Sequence, residues 1–326
     1  MLNLFFIFYG ISFIARMPKD FQYRVEYAAL VGFTALLNQL PYKAALAVAW
    51  AVAGLLFHVA RFRRRETFRR IREVFGEDAP RREVRRIAWL SLRNMAFNCV
   101  EMMRAPHIDK AWIDRYMPGF QEKVPIVNGL LKRNRGLIFA VPHTGNWDLA
   151  GWACSRYGIS MFSVAGKQKN PHVNAWMNRQ RENGIKMLER GGGTLKQIIR
   201  LLRAGHAFAI LPDVRMPSPD LALPFLGKTA NLGRGMAMFA ISANVPILPA
   251  FFTRTGWTKH EFIHFDPLFP DLSRDREEEA RRLTAAVMAI VDKAVRENPD
   301  QWFWYNKRWV LTPLPAETPQ QSGKTV

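Results

Sequence analysis

The sequence predicts an α/β fold in which a mostly parallel β-sheet is flanked by helices, with an N-terminal helical segment that associates with a membrane. Three observations carry this prediction. From about residue 125 short apolar runs alternate with helical periodicity, an unusually apolar stretch occupies the first sixty residues, and a block of arginines separates the two. Parallel strands need crossover connections, most often helices, so regular alternation of the two elements is typical of a parallel sheet.

Two apolar stretches lie within the first sixty residues. Residues 2–14 are short for a membrane span and resemble the apolar part of a signal sequence, although no convincing cleavage site follows. Residues 44–60 offer about seventeen apolar positions between Lys43 and Arg61, which makes them a borderline transmembrane helix. We therefore predict that residues 1–60 form a membrane-associating or transmembrane segment.

Residues 61–124 are predicted to be a basic helical region. Arginines recur within 61–65, 69–72, 81–82 and 85–86. The positive-inside rule places such a block on the cytoplasmic side of a membrane. The alternative is a solvated basic helix without a membrane role.

The composition of the whole chain points to an anionic partner. The formal net charge is +20 at pH 7 and the isoelectric point is near 10.5, which indicates either nucleic acid or an acidic membrane. Ten tryptophans favour the membrane, because indole rings anchor at the bilayer interface, and no RNA-binding motif competes with this interpretation. We expect an anionic membrane and no nucleic acid.

Residues 125–312 are predicted to form the α/β domain, and residues 313–326 a polar, disordered tail. The predicted strands are 137–142, 160–165, 207–212 and 246–252, and the predicted helices are 147–157, 172–183, 194–204, 232–243 and an amphipathic helix at 275–297.

The most informative stretch follows the first predicted strand. This apolar run delivers His143 into a turn, and Asp148 follows five residues later. Side chains five residues apart on one continuous helix would point about 140° away from each other. A pair therefore requires His143 on the turn and Asp148 in the first helical turn. An aspartate there can hold the imidazole in the tautomer whose other nitrogen accepts a proton. We predict that His143 is a general base oriented by Asp148; the alternative is an inert turn histidine.

Further candidates lie at the end of the strand at 207–212. Asp213 and Arg215 fall where open sheets place ligand contacts, and we expect them to pair with each other or with His143. Cys99 and Cys154 are the two cysteines of the chain, so no disulfide framework is expected, which fits a reducing cytosolic environment.

Four further stretches complete a recognisable pattern. After the histidine box come 178–184, 210–215, 223–230 and 299–309 in that order. Residues 25–312 thereby resemble the lysophospholipid acyltransferase superfamily, and within it the branch of bacterial lipid A late acyltransferases and phosphatidylinositol mannoside acyltransferases. The histidine box is the signature of this superfamily.

The resemblance implies a glycerolipid acyltransferase-like fold and a membrane-associated O-acyltransferase. Such an enzyme moves a fatty acyl chain from an acyl carrier protein or coenzyme A thioester to a glycolipid acceptor. It implies a lipid A precursor as acceptor, in lipopolysaccharide biosynthesis, and a catalytic domain on the cytoplasmic side of the inner membrane. Direct attack is expected, because neither cysteine lies near a histidine by motif and no Gly-x-Ser-x-Gly elbow is present. No metal and no cofactor are expected.

Other acceptors and other classes of protein stay open. Many lipid A enzymes carry Glu where this chain has Asp148, and the closing stretch commonly has His where it has Asn306. The alternative acceptor is a mannosylated phosphatidylinositol or another glycerolipid. A non-catalytic basic protein that binds membranes or nucleic acid, and a lipid or thioester hydrolase, are alternatives of other classes.

The resemblance also assigns an arginine on the helix at 178–184 to a phosphate or to the oxyanion. Arg181 is preferred and Arg179 is the alternative. Trp302 and Trp304 in the closing stretch are expected to pack, in a half-buried strand or an amphipathic surface segment. The predicted catalytic residues are His143, Asp148, Arg181 and Asp213, and the predicted substrate contacts are Arg179, Arg215, Lys167, Asn146 and Arg308.

Overall fold

The computed structural model describes residues 18–189 and 191–314. The α-helices of this part of the chain are α1 (Lys19–Gln39), α2 (Tyr42–Gly54), α3 (Arg64–Phe75), α4 (Arg81–Met103), α5 (Lys110–Tyr116), α6 (Phe120–Asn134), α7 (Leu149–Arg156), α8 (Pro171–Glu182), α9 (Thr194–Arg203), α10 (Gly235–Ala243) and α11 (Arg276–Glu297). The strands are β1 (Leu137–Ala140), β2 (Met161–Val164), β3 (Lys186–Leu188), β4 (Ala207–Ile210), β5 (Leu221–Phe225), β6 (Lys228–Leu232), β7 (Ile247–Arg254) and β8 (His260–His264). A π-helical turn (Leu55–Val59) continues α2, and 3₁₀ turns follow α4 (Ala105–His107) and α11 (Pro299–Gln301).

Six strands form one sheet in the order β3-β2-β4-β1-β7-β8. Every neighbouring pair is parallel except β7 and β8, which are antiparallel. Strands β5 and β6 form a separate antiparallel hairpin. The predicted fold class, a mostly parallel sheet flanked by helices, is confirmed.

Both faces of the sheet are covered, which explains why its central strands are apolar throughout. All four residues of β1 are buried. Leu137 and Phe139 belong to a core shared with α1, α2 and α4 to α8, whereas Ile138 and Ala140 belong to a core shared with α9, α10 and α11. A strand buried on both faces reads as a continuous apolar run, because successive side chains point to opposite faces. The four apolar runs singled out in the sequence all contain strands of this sheet.

The N-terminal helices pack against the rest of the chain along one side. Among the described residues, one helical stretch, Tyr42–Val59, is long and apolar enough to cross a membrane, and one third of it is buried. The buried residues of α2 pack mainly against α4. The run at 2–14 and residues 315–326 of the predicted tail lie outside the described residues. The division of the chain into segments stays a prediction, and one hydrophobic core includes residues on both sides of the boundary at 125.

Candidate functional site

The central strands of the sheet bring a histidine and an aspartate together. In the parallel register Ala140 at the end of β1 lies opposite Ile210 at the end of β4. His143 and Asp213 each follow three residues later, so both extend from the same edge of the sheet. The Nδ1 atom of His143 lies 2.9 Å from Oδ1 of Asp213. Of the two partners expected for Asp213, the structure selects His143.

The carboxylate of Asp213 is fully buried and held by several donors. Its Oδ2 atom accepts the backbone N–H of His143 at 2.9 Å and the indole N–H of Trp302 at 2.8 Å. Burial alone would raise the pKa of Asp213, but its electrostatic interaction with the His143 ring and the hydrogen bonds from His143 and Trp302 hold it below its usual range. Asp213 is therefore an ionised acceptor at neutral pH.

The imidazole of His143 keeps one nitrogen for chemistry. With Nδ1–H donated to Asp213, Nε2 carries the free lone pair, and no described residue is hydrogen-bonded to it. The side chain is 19% exposed, and the ring of Trp147 meets it edge to face with centroids 4.9 Å apart. This geometry is that of a general base whose tautomer is set by a buried carboxylate.

Asp148 has a different partner from the one predicted. It lies directly before α7 and accepts a hydrogen bond from Nε of Arg181 on α8 at 2.9 Å. The expected orientation of His143 by Asp148 is therefore wrong, because the buried Asp213 occupies Nδ1 and the guanidinium of Arg181 neutralises Asp148. His143 and Asp148 thus each pair with a residue outside the box, His143 with Asp213 and Asp148 with Arg181.

The two other predicted arginines near the site are committed elsewhere. Nη2 of Arg179 donates to the hydroxyl of Tyr27 at 3.2 Å on the surface. The guanidinium of Arg215 donates to the carbonyls of Thr312 and Pro313 at 2.7 and 2.9 Å, so it fastens the C-terminal chain instead of pairing with Asp213.

The remaining predicted substrate contacts are spread between the surface and the core. Lys167 lies 3.6 Å from Glu189 in an exposed ion pair, and Arg308 is exposed. Asn146 is buried, and its amide donates to Glu101 at 2.6 Å. We therefore correct the expected role of Asn146 from substrate contact to support of the loop.

Glu101 is the centre of a buried polar network that sequence reasoning missed. Its carboxylate accepts hydrogen bonds from Tyr42 (2.5 Å), Asn146 (2.6 Å), Arg254 (2.7 Å) and His260 (3.1 Å). Burial alone would raise the pKa of Glu101, but Arg254, with His260, holds it well below its usual range. Burial lowers the pKa of His260, so its ring is neutral and donates from Nε2. The signal in the sequence was a glutamate within the apolar last turns of α4.

The loop after His143 is fixed by close backbone contacts. Gly145 has φ +62°, and a Cβ there would lie 2.1 Å from the carbonyl oxygen of Phe252 on β7. The backbone N–H of Asn146 donates to that same oxygen at 2.8 Å, while the amide of Asn98 donates to the carbonyl of Gly145 at 2.6 Å. Glycine is required at this position because a side chain would separate the loop from β7.

The closing stretch lies against the same loop. It begins as a 3₁₀ turn and continues irregularly, which corrects the expectation of a strand or a surface segment. Backbone hydrogen bonds join Phe303 to the carbonyl of His143 at 3.0 Å and Gly145 to the carbonyl of Gln301 at 2.9 Å. Trp302 and Trp304 are buried as expected, but the contact of Trp302 with Asp213 was not predicted.

The two cysteines are unsuited to nucleophilic chemistry. Both are free and buried. Burial raises the pKa of Cys99 to about 11 and that of Cys154 to about 12, so neither forms a thiolate at neutral pH.

Comparison with known proteins identifies similar sequences. The family model described as "Bacterial lipid A biosynthesis acyltransferase" matches residues 16–310. A phosphatidylinositol mannoside acyltransferase of Mycobacterium tuberculosis (strain ATCC 25618 / H37Rv) is 21% identical over 218 residues, which cover 64% of this chain and 66% of that protein. The "Lipid A biosynthesis acyltransferase 2" of Shigella flexneri is 24% identical over 205 residues, which cover 58% and 60%. The chain thus spans less than two thirds of the length of these relatives.

Among solved structures, the 1-acyl-sn-glycerophosphate acyltransferase of Thermotoga maritima is similar with a TM-score of 0.34 and 18% identity. The match covers 67% of this chain and 98% of that one, and its score is below the level at which a shared fold is inferred.

Proposed function

Because the chain belongs to the bacterial lipid A biosynthesis acyltransferase family, we propose that it is a membrane-associated O-acyltransferase that moves a fatty acyl chain from a thioester to a glycolipid. The observation that carries the mechanism is the imidazole of His143, which is bonded through Nδ1 to the buried Asp213 and keeps Nε2 free. Transfer to a hydroxyl needs such a base at the edge of the sheet where ligands bind.

The reaction is a direct attack. The acceptor hydroxyl gives its proton to Nε2 of His143 while its oxygen bonds to the thioester carbonyl carbon. The tetrahedral intermediate collapses, the carbon–sulfur bond breaks, and the sulfur takes the proton back from the imidazolium. Asp213 stabilises the imidazolium in between, as an ionised carboxylate does for a histidine base. The unreactive cysteines support a pathway without an acyl-enzyme.

The Asp148–Arg181 pair offers a binding site for an anionic group of the substrate. Nε of Arg181 is bonded to Asp148, and within the described residues no partner is hydrogen-bonded to its two terminal nitrogens. A guanidinium fixed on one side presents those donors to an anion. We propose that Arg181 binds a substrate phosphate or the developing oxyanion, and that Asp148 holds it in place.

The acceptor we propose is a lipid A precursor, with a phosphatidylinositol mannoside or another glycerolipid as the alternative. The family description supports the former, and the mycobacterial relative supports the latter. The donor is an acyl carrier protein or coenzyme A thioester. Lys167 and Arg308, which are exposed, stay candidates for acidic groups on these substrates.

We place the catalytic domain on the cytoplasmic face of the inner membrane. The exposed sides of α1 and α2 carry large apolar residues, including Leu36 and Trp50, and the π-helical turn adds Leu55 and Val59. Arginines 61–65 follow directly. Since the other side of α2 is buried in the protein, we propose that these helices lie in the membrane interface with one face toward lipid.

The test is acyl transfer by the purified full-length protein in lipid vesicles. Acyl carrier protein and coenzyme A thioesters are offered with a panel of glycolipids, and the products are identified by mass spectrometry. His143→Ala and Asp213→Asn should each lower the rate by about 10²-fold or more. The melting temperature should change little in His143→Ala, whereas Asp213→Asn also removes a buried ionised acceptor and should lower it. A folded His143→Ala protein with normal turnover would refute the mechanism.

The same assay separates the other classes of function. Release of free fatty acid at an unchanged rate without acceptor would indicate a hydrolase. Binding of nucleic acid at physiological salt without turnover of any thioester would indicate a non-catalytic basic protein.

A further inference from the structure

We propose that Trp302 is a positioning residue that acts through Asp213: its indole N–H fixes the carboxylate and moderates the basicity of His143. This inference rests on the proposed function, because it concerns the same base. Its physical basis is the 2.8 Å hydrogen bond from the indole to Oδ2 of Asp213.

Three donors share the carboxylate of Asp213. The imidazole of His143 uses Oδ1, while the backbone N–H of His143 and the indole of Trp302 use Oδ2. Each donor withdraws negative charge from a carboxylate, so each reduces the stabilisation that remains for an imidazolium. The indole differs from the other two because it comes from a distant part of the chain.

The position of Trp302 is fixed independently of Asp213. Its side chain is buried, and its carbonyl accepts a hydrogen bond from Ser91 on α4 at 2.6 Å. Its ring packs edge to face on Trp304, with centroids 4.9 Å apart, and Trp309 lies 5.7 Å away. Because these contacts fix the indole, it restrains the position of the Asp213 carboxylate.

The charged groups of the neighbouring elements have partners of their own. Asp148 before α7 is paired with Arg181 on α8, and Arg215 after β4 donates to backbone carbonyls. On α4 and β7, Glu101 is paired with Arg254.

In the closing stretch, Asp300 accepts a hydrogen bond from Gln301 at 3.2 Å, and Arg70 on α3 donates to the carbonyls of Trp304 and Asn306. Among the groups described, the indole is thus the contact that can be removed from Asp213 without adding or removing a formal charge.

The sign of the effect follows from the charge on the carboxylate. Without the indole, Asp213 keeps more negative charge for the imidazolium, so His143 holds its proton to a higher pH. His143 is then protonated, and inactive as a base, up to a higher pH. The acid limb of the pH–activity profile therefore shifts to higher pH.

The experiment compares Trp302→Phe with Trp304→Phe. Trp304 is a matched control, because it is also a buried tryptophan of the closing stretch but donates to the carbonyl of Pro299 at 2.7 Å. We expect Trp302→Phe to shift the acid limb of the kcat/KM profile to higher pH by about 0.5 unit. It should also lower kcat near neutrality, with KM little changed. Trp304→Phe should leave the limb in place.

Direct observation of the ring makes the result independent of turnover. The imidazole resonances of His143, one of seven histidines, are assigned by their loss in His143→Ala and titrated by NMR. An unchanged or lowered midpoint in Trp302→Phe, or an equal shift in Trp304→Phe, would overturn the inference. A raised midpoint with an unmoved activity profile would support the inference and refute His143 as the base.

The unsubstituted protein supplies a second measurement, in case Trp302→Phe does not fold. The indole N–H resonance of Trp302 should titrate together with His143, whereas that of Trp304 should not. An indole resonance of Trp302 that is insensitive to the protonation of His143 would contradict the inference.

Discussion

The Nε atom of Arg181 is bonded to the carboxylate of Asp148, so the two terminal nitrogens of the guanidinium are the ones that can bind a substrate. The Arg181 and Asp148 side chains are 16% and 9% exposed, so the pair is largely shielded from solvent. A planar guanidinium can bond Asp148 and a substrate oxygen at once, whereas the ammonium of lysine is a point charge without that fork.

Arg181→Ala and Arg181→Lys should both lose activity. If the contact forms only in the transition state, kcat and kcat/KM should fall together by about 10²-fold; if it holds a phosphate throughout, KM should rise with kcat little changed. Arg179→Ala is the control, since Arg179 lies on the same helix and donates to Tyr27. Steady-state kinetics on the glycolipid acceptor decide between the two. Full activity in Arg181→Lys with loss in Arg179→Ala would reassign the function to Arg179.

For individual residues, the sequence predicts which of them lie at the site better than it predicts which residue each one is bonded to. His143 and Asp213 could be found because both directly follow apolar strands. The pairing of Asp148 was wrong because proximity in sequence favoured His143, while Arg181 is 33 residues away. The contact of Trp302 with Asp213 spans 89 residues, and an alternating aromatic stretch gives no sign of which indole is bonded.

The strands of the six-stranded sheet that are continuous apolar runs could be predicted from the sequence, whereas its two edge strands could not. β3 (Lys186–Leu188) is three residues long at the edge of the sheet, with one of them buried. β8 (His260–His264), at the opposite edge, mixes histidine and glutamate with apolar residues. Edge strands lack a second neighbour and need not be apolar on both faces, so periodicity alone does not identify them.

The Glu101 network joins three elements to the loop that follows His143. Tyr42 begins α2, Glu101 lies on α4, Arg254 ends β7, and Asn146 belongs to the loop itself. Glu101 and Arg254 are each 1% exposed. Removing one charge of such a pair leaves the other buried without compensation, at a cost of about 3–5 kcal/mol.

Glu101→Gln should therefore destabilise the protein by about 3–5 kcal/mol at pH 7, as measured by denaturant unfolding. Because the folded pKa of Glu101 is lowered by Arg254, its stabilising contribution is complete above the unfolded value of about 4.3 and is lost as the pH falls. The difference between the two proteins should accordingly narrow below about pH 4.

Glu83→Gln is the matched control for this measurement. Glu83 lies on the same helix and pairs with Arg86, but both side chains are about half exposed, so a loss of about 0–1 kcal/mol is expected. Equal destabilisation by the two substitutions, or a difference that does not narrow in acid, would contradict the assigned role of Glu101.

For the molecule as a whole, residues 18–60 of the apolar N-terminal segment are part of the fold as well as a candidate membrane surface. Composition alone could not show this, because a helix buried on one side and a membrane helix are both apolar. Removing the whole segment would open the core at Ala45, Leu46, Ala49 and Ala53, so truncation would confound membrane release with unfolding. Substitutions on the exposed face separate the two.

Leu36→Glu combined with Leu55→Glu should weaken binding to anionic vesicles by at least about 10²-fold, because transfer of each leucine side chain out of water contributes about 1.5–3 kcal/mol. Leu36 is 56% and Leu55 61% exposed, so the melting temperature should change little. Leu272→Glu is the control, since Leu272 is 56% exposed and lies before α11, away from α1 and α2 in sequence. Co-sedimentation in low and high salt measures the effect.

Residual binding of the double variant should be released by salt, because the arginines that follow α2 act electrostatically and are screened. Undiminished binding of the double variant after a high-salt wash would show that this face does not contact lipid.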